Sequence, residues 1–242
     1  MTSFHGEVKL LDKVIETPTK RSYLFERPVS FNFIPGQFVV IKLLNFPGSI
    51  RDSLRQFSIS STPLDNYIAI STQVIGRNSL FKESLDSLKP GDQVSLSGPN
   101  GSFTISRTSH TIVMIAGGVG VTPFRSMIRY LSSSPFEGKV ALIHSSRTFE
   151  EILFYDEIEK IKHKVGWLET YRFLTREERQ LPGFTLGRLD SVKLQAILAS
   201  YEPDEVLVSG PPTFVESIST ILENDLKLEP PKIKTEKFLG YK

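Results

Sequence analysis

Residues 54–63, LRQFSISSTP, place an arginine, an aromatic and a serine at positions 55, 57 and 58 of one short run. Phe57 and Ile59 alternate with Gln56, Ser58 and Ser60, and Thr62-Pro63 closes the run, so the pattern predicts a strand. The guanidinium of Arg55 offers a planar fork to phosphate oxygens. An aromatic ring and a hydroxyl beside it suit a flat group that accepts hydrogen bonds. The set fits a ligand that is planar and anionic at once; the plainer alternative is an exposed strand face.

A second set lies in AGGVGVTP, residues 116–123, between an apolar run and a helical one. Gly117, Gly118 and Gly120 let backbone approach a ligand without a Cβ in the way. Thr122 reads as an N-cap and Pro123 as the first helical residue. The helix start then offers free N–H groups to a pyrophosphate. The third glycine of G-x-G-x-x-G is absent. VSGPPTF, residues 208–214, repeats the logic, with Ser209, Gly210 and Pro211 ending one run and Pro212 opening a helix. Arg147, Arg176 and Arg188 each follow or adjoin a strand-like run, and Ser145 and Ser146 add hydroxyls. Converging guanidinium groups match a dianionic phosphate. No acid follows HSS directly, where a ribose-diol binder carries one; Glu150 and Glu151 come slightly later.

The elements around these sets divide by pattern. Up to about residue 106 the runs HGEVKLLDKVIE, RSYLFER, PGQFVVIKLL, NYIAISTQV and GDQVSLSG read as strands punctuated by turns, with one helix in NSLFKESLDSL. Short strands of this kind predict a small antiparallel β-barrel. After residue 110 the apolar runs TIVMIAGG, KVALIHSS, LETYRFLT and DEVLVSG alternate with helical segments, which predicts a parallel sheet covered on both faces. Ligands of such sheets sit at the carboxyl ends of the strands. The expected division is a barrel domain over 1–106 and an α/β Rossmann-like domain over 107–242, joined through TISRTSH.

Composition narrows the function further. The chain has 242 residues, 39% hydrophobic, a net charge of +2 and no cysteine. Near-neutrality gives no footprint for nucleic acid. Without cysteine, a thiolate-held metal or iron–sulfur cluster is excluded within these residues. The 4 histidines are scattered without metal-ligand spacing. MTSFHGEVKL has neither a long apolar run nor a small-residue cleavage site, and no apolar run reaches bilayer length, so a cytoplasmic, monomeric protein is expected.

The order RQFS, GRNS, GPNGSF, AGGVGVTP, HSSR, TREE, GR, SGPPTF and EKFLGY resembles the ferredoxin–NADP reductase family of flavoproteins, from Pro35 to the end of the chain. The resemblance implies an FAD-binding barrel followed by an NAD(P)-binding α/β domain. It assigns Arg55, Gln56, Phe57 and Ser58 to FAD, with Arg55 on the pyrophosphate, Phe57 against the isoalloxazine and Ser58 at flavin N5. The usual tyrosine is Phe57 here, which keeps stacking and loses a phenol hydrogen bond. Gly76, Arg77, Asn78 and Ser79 match the second phosphate segment, whereas GPNGSF is expected only to support the barrel. Phe238 matches the aromatic covering the other flavin face, with Tyr241 as its competitor. Ser209 stands where the family often has a cysteine near the nicotinamide, and Glu236 is the nearest acid.

The resulting expectation is an NADPH-dependent FAD enzyme exchanging electrons with ferredoxin or flavodoxin. The alternatives are an NAD(P)H:flavin reductase, an oxygenase reductase component and a non-catalytic nucleotide-binding subunit. Lys20, Arg21, Arg51, Lys234, Lys237 and Lys242 are the candidates for a basic rim that steers an acidic carrier.

Overall fold

The computed structural model describes residues 3–76 and 79–238. Arg77, Asn78, Tyr241 and Lys242, all given roles above, lie outside the described residues.

Six strands build the first unit: β1 (Phe4–Thr17), β2 (Lys20–Glu26), β3 (Phe38–Leu43), β4 (Leu54–Ser58), β5 (Tyr67–Gln73) and, after helix α1 (Leu80–Ser87), β6 (Gln93–Asn100). Their order is β4-β3-β6-β1-β2-β5 and every pairing is antiparallel. A bridge between Ile59 and Ile70 joins the two edges, so the sheet curls into a barrel. Alternate side chains point inward, as the strand pleat requires. Val8, Leu10, Tyr23, Phe25, Val39, Ile41, Ile68, Ile70, Val94 and Leu96 make its core with Phe81 and Leu85 of α1.

The second unit runs β7 (Thr111–Gly117), α2 (Thr122–Leu131), β8 (Lys139–Ser146), α3 (Tyr155–Lys164), β9 (Leu168–Leu174), β10 (Phe184–Leu186), α4 (Ser191–Leu198), β11 (Glu205–Gly210), α5 (Pro212–Thr220) and β12 (Ile233–Lys237). The strands are all parallel, in the order β10-β9-β8-β7-β11-β12. Both faces of β7 are buried. Ile112, Met114 and Ala116 pack with α2 and α3, and Val113 and Ile115 pack with α4 and α5.

Strand order reverses at β7, since the chain lays down β8, β9 and β10 on one side and then crosses to β11 on the other. That reversal opens a crevice at the carboxyl ends of β7 and β11, where the two glycine-bearing turns meet. They meet closely: a Cβ on Gly120 would stand 2.1 Å from the Ser209 carbonyl oxygen. Gly210 sits at φ +152 against the Gly117 backbone. Side chains at these two positions would push the turns apart.

Several expectations need correction. Thr122 is not an N-cap. A 3-10 turn over Gly118–Val121 runs directly into α2, so Thr122 is already helical and its hydroxyl donates back to the Val119 carbonyl at 2.9 Å. No strand was expected at β12, the edge strand beside β11; its charge-rich sequence IKTEK hides the strand pattern. The three residues of β10, between glycines at φ +80 and +90, are too few to show any period.

Helix α2 also grips the barrel. Arg125 donates to the Ser60 carbonyl at 3.1 Å, and Ser126 to the Ser61 carbonyl at 2.5 Å. Arg129 makes a forked pair with Asp65 at 2.8 and 3.0 Å.

Candidate functional site

Two clefts adjoin the crevice. The first, about 310 Å³, opens between the barrel edge and β12. β4 is the barrel's edge strand, so side chains from both of its faces reach the opening: Arg55, Gln56, Phe57 and Ser58 all line it. Arg55 lies over the Phe81 ring, 5.3 Å from its centroid, and one of its amino groups donates to the Asp52 and Leu54 carbonyls. Phe57 packs on the same Phe81, with ring centroids 6.0 Å apart. Ser79, Thr122 and Phe238 complete the predicted lining, and Phe238 is fixed by its N–H to the Gly210 carbonyl at 2.9 Å.

The most consequential contact in this cleft crosses the two units. Ser58 donates to Glu236 Oε2 at 2.8 Å. Burial pushes the Glu236 carboxyl up to about 7, with the hydroxyls of Ser58 and Ser209 opposing the shift. Ser209 is fully buried and stands opposite Glu236 in the β11–β12 register. Its oxygen has no close hydrogen-bond partner among the described residues, but it is near enough to favour the ionised carboxyl.

Sequence reasoning missed other walls of this cleft. Ser71 and Thr72 of β5 line it, and a hydroxyl chain Ser22–Ser71–Ser60 runs beneath at 2.7 and 3.1 Å. Gly101, Ser102 and Phe103 of GPNGSF line it too. Gly76, at φ +75, lies outside the cleft lining, beside Lys82 and Glu83 on the flank of α1.

The second cleft, about 400 Å³, occupies the crevice itself. Gly117, Gly118, Ser145, Ser146, Arg147, Arg188 and Pro211 line it as predicted. Gly118 is the sharp point of the turn, at φ +53, and its carbonyl oxygen lies 2.9 Å from His144 Nε2. Burial holds that imidazole down at about 4, so it is neutral at pH 7 and can donate to Gly118. Gly120, Ser209 and Gly210 do not line this cleft; they are the packing beneath it. Arg176 is exposed at its outer end, tied to Arg147 by a backbone hydrogen bond of 2.8 Å.

The charges around the second cleft are sorted. Arg147, Arg176 and Arg188 have no acidic partner among the described residues. The acids nearby are occupied: Arg179 holds Glu150 at 2.6 Å and Glu177 at 2.8 and 3.0 Å, and Lys20 holds Glu151. Arg179 carried no signal in the sequence beyond being one more charge in TREER. Lys20 was expected on a surface rim, but it is 2% exposed at the start of β2 and lines this cleft. Lys234 is likewise engaged, with Glu205 at 2.7 Å, Ser106 at 2.8 Å and the Thr104 carbonyl at 2.7 Å. Lys237 pairs with Glu216 at 2.9 Å. Lys20 and Lys234 are thus engaged within the fold, while Arg51 is exposed and Lys242 lies outside the described residues.

A barrel carrying one cleft at its edge and a parallel sheet carrying a second at its strand-order reversal define the two-domain flavin and nicotinamide reductase fold. Residues 114–220 match the family described as oxidoreductase NAD-binding domain. The chain is 28% identical over 233 residues to the glycine betaine monooxygenase reductase subunit of Chromohalobacter salexigens, covering 93% of this chain and 62% of the relative. It is 30% identical over 210 residues to the flavohemoprotein of Bacillus subtilis, covering 85% and 51%. It thus spans about half to three-fifths of these relatives. Among solved structures it resembles the FAD/NAD-binding domain of nitric oxide dioxygenase from Vibrio cholerae, with TM-score 0.82, 23% identity and 96% and 98% coverage. It also resembles a ferredoxin–NADP+ reductase from Neisseria gonorrhoeae solved with FAD and NADP, with TM-score 0.80, 20% identity and 97% and 99% coverage. The fold is thus the one shared by the ferredoxin–NADP reductase-like FAD/NAD-binding reductases, and its second unit carries the match to the oxidoreductase NAD-binding domain. Among the described residues no helix is long and apolar enough to cross a membrane.

Proposed function

We propose that the chain is an FAD-dependent NADPH oxidoreductase exchanging electrons with a separate one-electron carrier, a ferredoxin or flavodoxin. The first cleft suits FAD: Arg55 for the pyrophosphate, Phe57 and Phe238 for the faces of a planar ring, and Ser58 for a hydrogen bond to it. The flavin supplies the redox chemistry, accepting electrons as a pair and releasing them singly. Behind Ser58, Glu236 holds or releases a proton, and Ser209 sits beneath that carboxyl. The second cleft suits the nicotinamide nucleotide, with the glycine turn, Ser145, Ser146 and Pro211 along its diphosphate. The choice of NADPH rests on one observation: among the described residues Arg147, Arg176 and Arg188 have no acidic partner, while Glu150, Glu151 and Glu177 are held by Arg179 and Lys20. The 242 residues hold no cysteine for a cluster, which supports an acceptor outside them.

A second reading, the reductase component of an oxygenase, is favoured by the relative named as a monooxygenase reductase subunit. Assays of NADPH and NADH against ferredoxin, flavodoxin and free flavin separate the readings. The proposal expects a yellow protein with bound FAD, a preference for NADPH and faster turnover with a protein carrier than with free flavin. Preference for NADH, or reduction of free flavin alone, overturns it. Arg55→Ala is expected to purify largely without FAD and to regain activity only with added FAD. Full occupancy in that variant would remove Arg55 from the flavin site.

A further inference from the structure

Lys20 is a buried cation at a boundary. It begins β2 of the barrel, yet its ammonium reaches the 3-10 turn Phe149–Glu151 that follows β8. There it donates to the Glu151 backbone carbonyl at 2.7 Å and to the Glu151 carboxylate at 3.4 Å. An ammonium has three donors, so these two contacts leave one for the cleft that Lys20 lines. The carboxylate contact is the longer of the two, although a buried charge without a close counter-charge is costly. Burial accordingly holds the Lys20 amine below its ordinary value, against the pull of Glu151.

Its surroundings say what would complete it. Lys20 pairs with Gln73 across the β2–β5 ladder, and Gln73 lines the same cleft. On the α/β side, Lys20 acts electrostatically on both His144, which braces the Gly118 turn, and Arg147. It shares the lining of this cleft with the glycine turn and Arg147. We propose that Lys20 is the barrel's contribution to the nucleotide cleft, binding the diphosphate of the nicotinamide nucleotide by exchanging its Glu151 carboxylate for a phosphate oxygen. This rests on the reading that the second cleft takes such a nucleotide. It extends that reading by adding a residue from the opposite unit and a release step in which Glu151 competes with phosphate. The diphosphate is common to NADPH and NADH, so Lys20 sets affinity without choosing between them.

The test uses calorimetric titration of the FAD-loaded protein with ADP-ribose, which carries the diphosphate, and AMP, which does not. Lys20→Met is expected to weaken ADP-ribose by about 10-fold and AMP by less than 2-fold, with Lys20→Arg restoring most of the loss. The Michaelis constants for NADPH and NADH should rise by the same factor. Glu151→Gln, which keeps the lysine and removes its competitor, should tighten ADP-ribose by a few-fold. A lysine serving only to latch the two units predicts the reverse: weaker binding in Glu151→Gln and equal weakening of AMP and ADP-ribose in Lys20→Met. Either result overturns the proposal. Failure of the unaltered protein to bind ADP-ribose or NADP+ at all would overturn the nucleotide reading beneath it as well.

Discussion

Ser58→Ala is expected to slow flavin reduction by NADPH by about 10-fold or more while FAD stays bound, the scale of one lost positioned hydrogen bond. The same rate in the unaltered protein should fall as pH rises through about 7, following Glu236. The direction comes from the Ser58–Glu236 contact of 2.8 Å. Below about 7 the carboxyl is protonated and can donate to the Ser58 oxygen, leaving the serine proton free to point into the cleft. Above it the carboxylate takes the serine proton for itself. Glu236→Gln can still donate to Ser58 and cannot titrate, so its profile should be flat through this range. Stability carries the same signature. The folded-state value lies above the ordinary 4.5, so between 4.5 and about 7 the folded protein binds more protons than the unfolded chain. This contribution is complete below 4.5 and is lost as pH rises through about 7. Stopped-flow rates and urea midpoints against pH, with Glu236→Gln as the reference, measure both. A pH-independent rate in the unaltered protein, or an unchanged inflection in Glu236→Gln, would remove this carboxyl from the chemistry.

Arg147→Gln should raise the Michaelis constant for NADPH by about 10- to 100-fold and that for NADH by no more than about 2-fold. The range follows from one charge-assisted hydrogen bond to a dianionic phosphate, about 1.5–3 kcal/mol. Arg147 lines the cleft and has no acidic partner among the described residues, so its charge is free for a phosphate. Arg179→Ala should shift the same ratio in the same direction but less. It would free Glu150 and Glu177, of which Glu150 is exposed, where salt screens it. Equal damage to both nucleotides in Arg147→Gln would contradict a 2′-phosphate contact.

Much of this arrangement was legible from residue patterns. Alternation marks β4 and β5, and apolar runs ending in glycine mark β7 and β11, because burial on one or two faces writes those periods directly. Arg55, Phe57 and Ser58 were readable because one edge strand carries all three. What escaped depends on contacts between distant segments. Glu236 becomes a titrating group near neutrality only when β12 lies against β11 and the barrel edge closes over it. Lys20 looks like any surface lysine until the α/β unit covers it. Ser71 and Thr72 share the alternation of every other polar residue on a half-buried strand. Lys20 and Lys234 left the expected rim because each met an acid, Lys20 at Glu151 across the boundary and Lys234 at Glu205 within the α/β unit.

That boundary has a consequence for how the protein comes apart. Carbonyls of Ser60 and Ser61, at the end of the barrel's edge strand, are satisfied by Arg125 and Ser126 of α2, and Asp65 by Arg129. Peeling the units apart would trade these hydrogen bonds and ion pairs for water and uncover Phe103, which packs on Phe124 of α2. The barrel and the α/β unit should therefore melt in one calorimetric transition, with a calorimetric enthalpy equal to the van't Hoff value. A barrel fragment ending at residue 106 should be less stable than the same residues within the whole chain. The helix that follows the nucleotide turn is thus also a clasp for cooperativity: the binding crevice cannot loosen without loosening the fold.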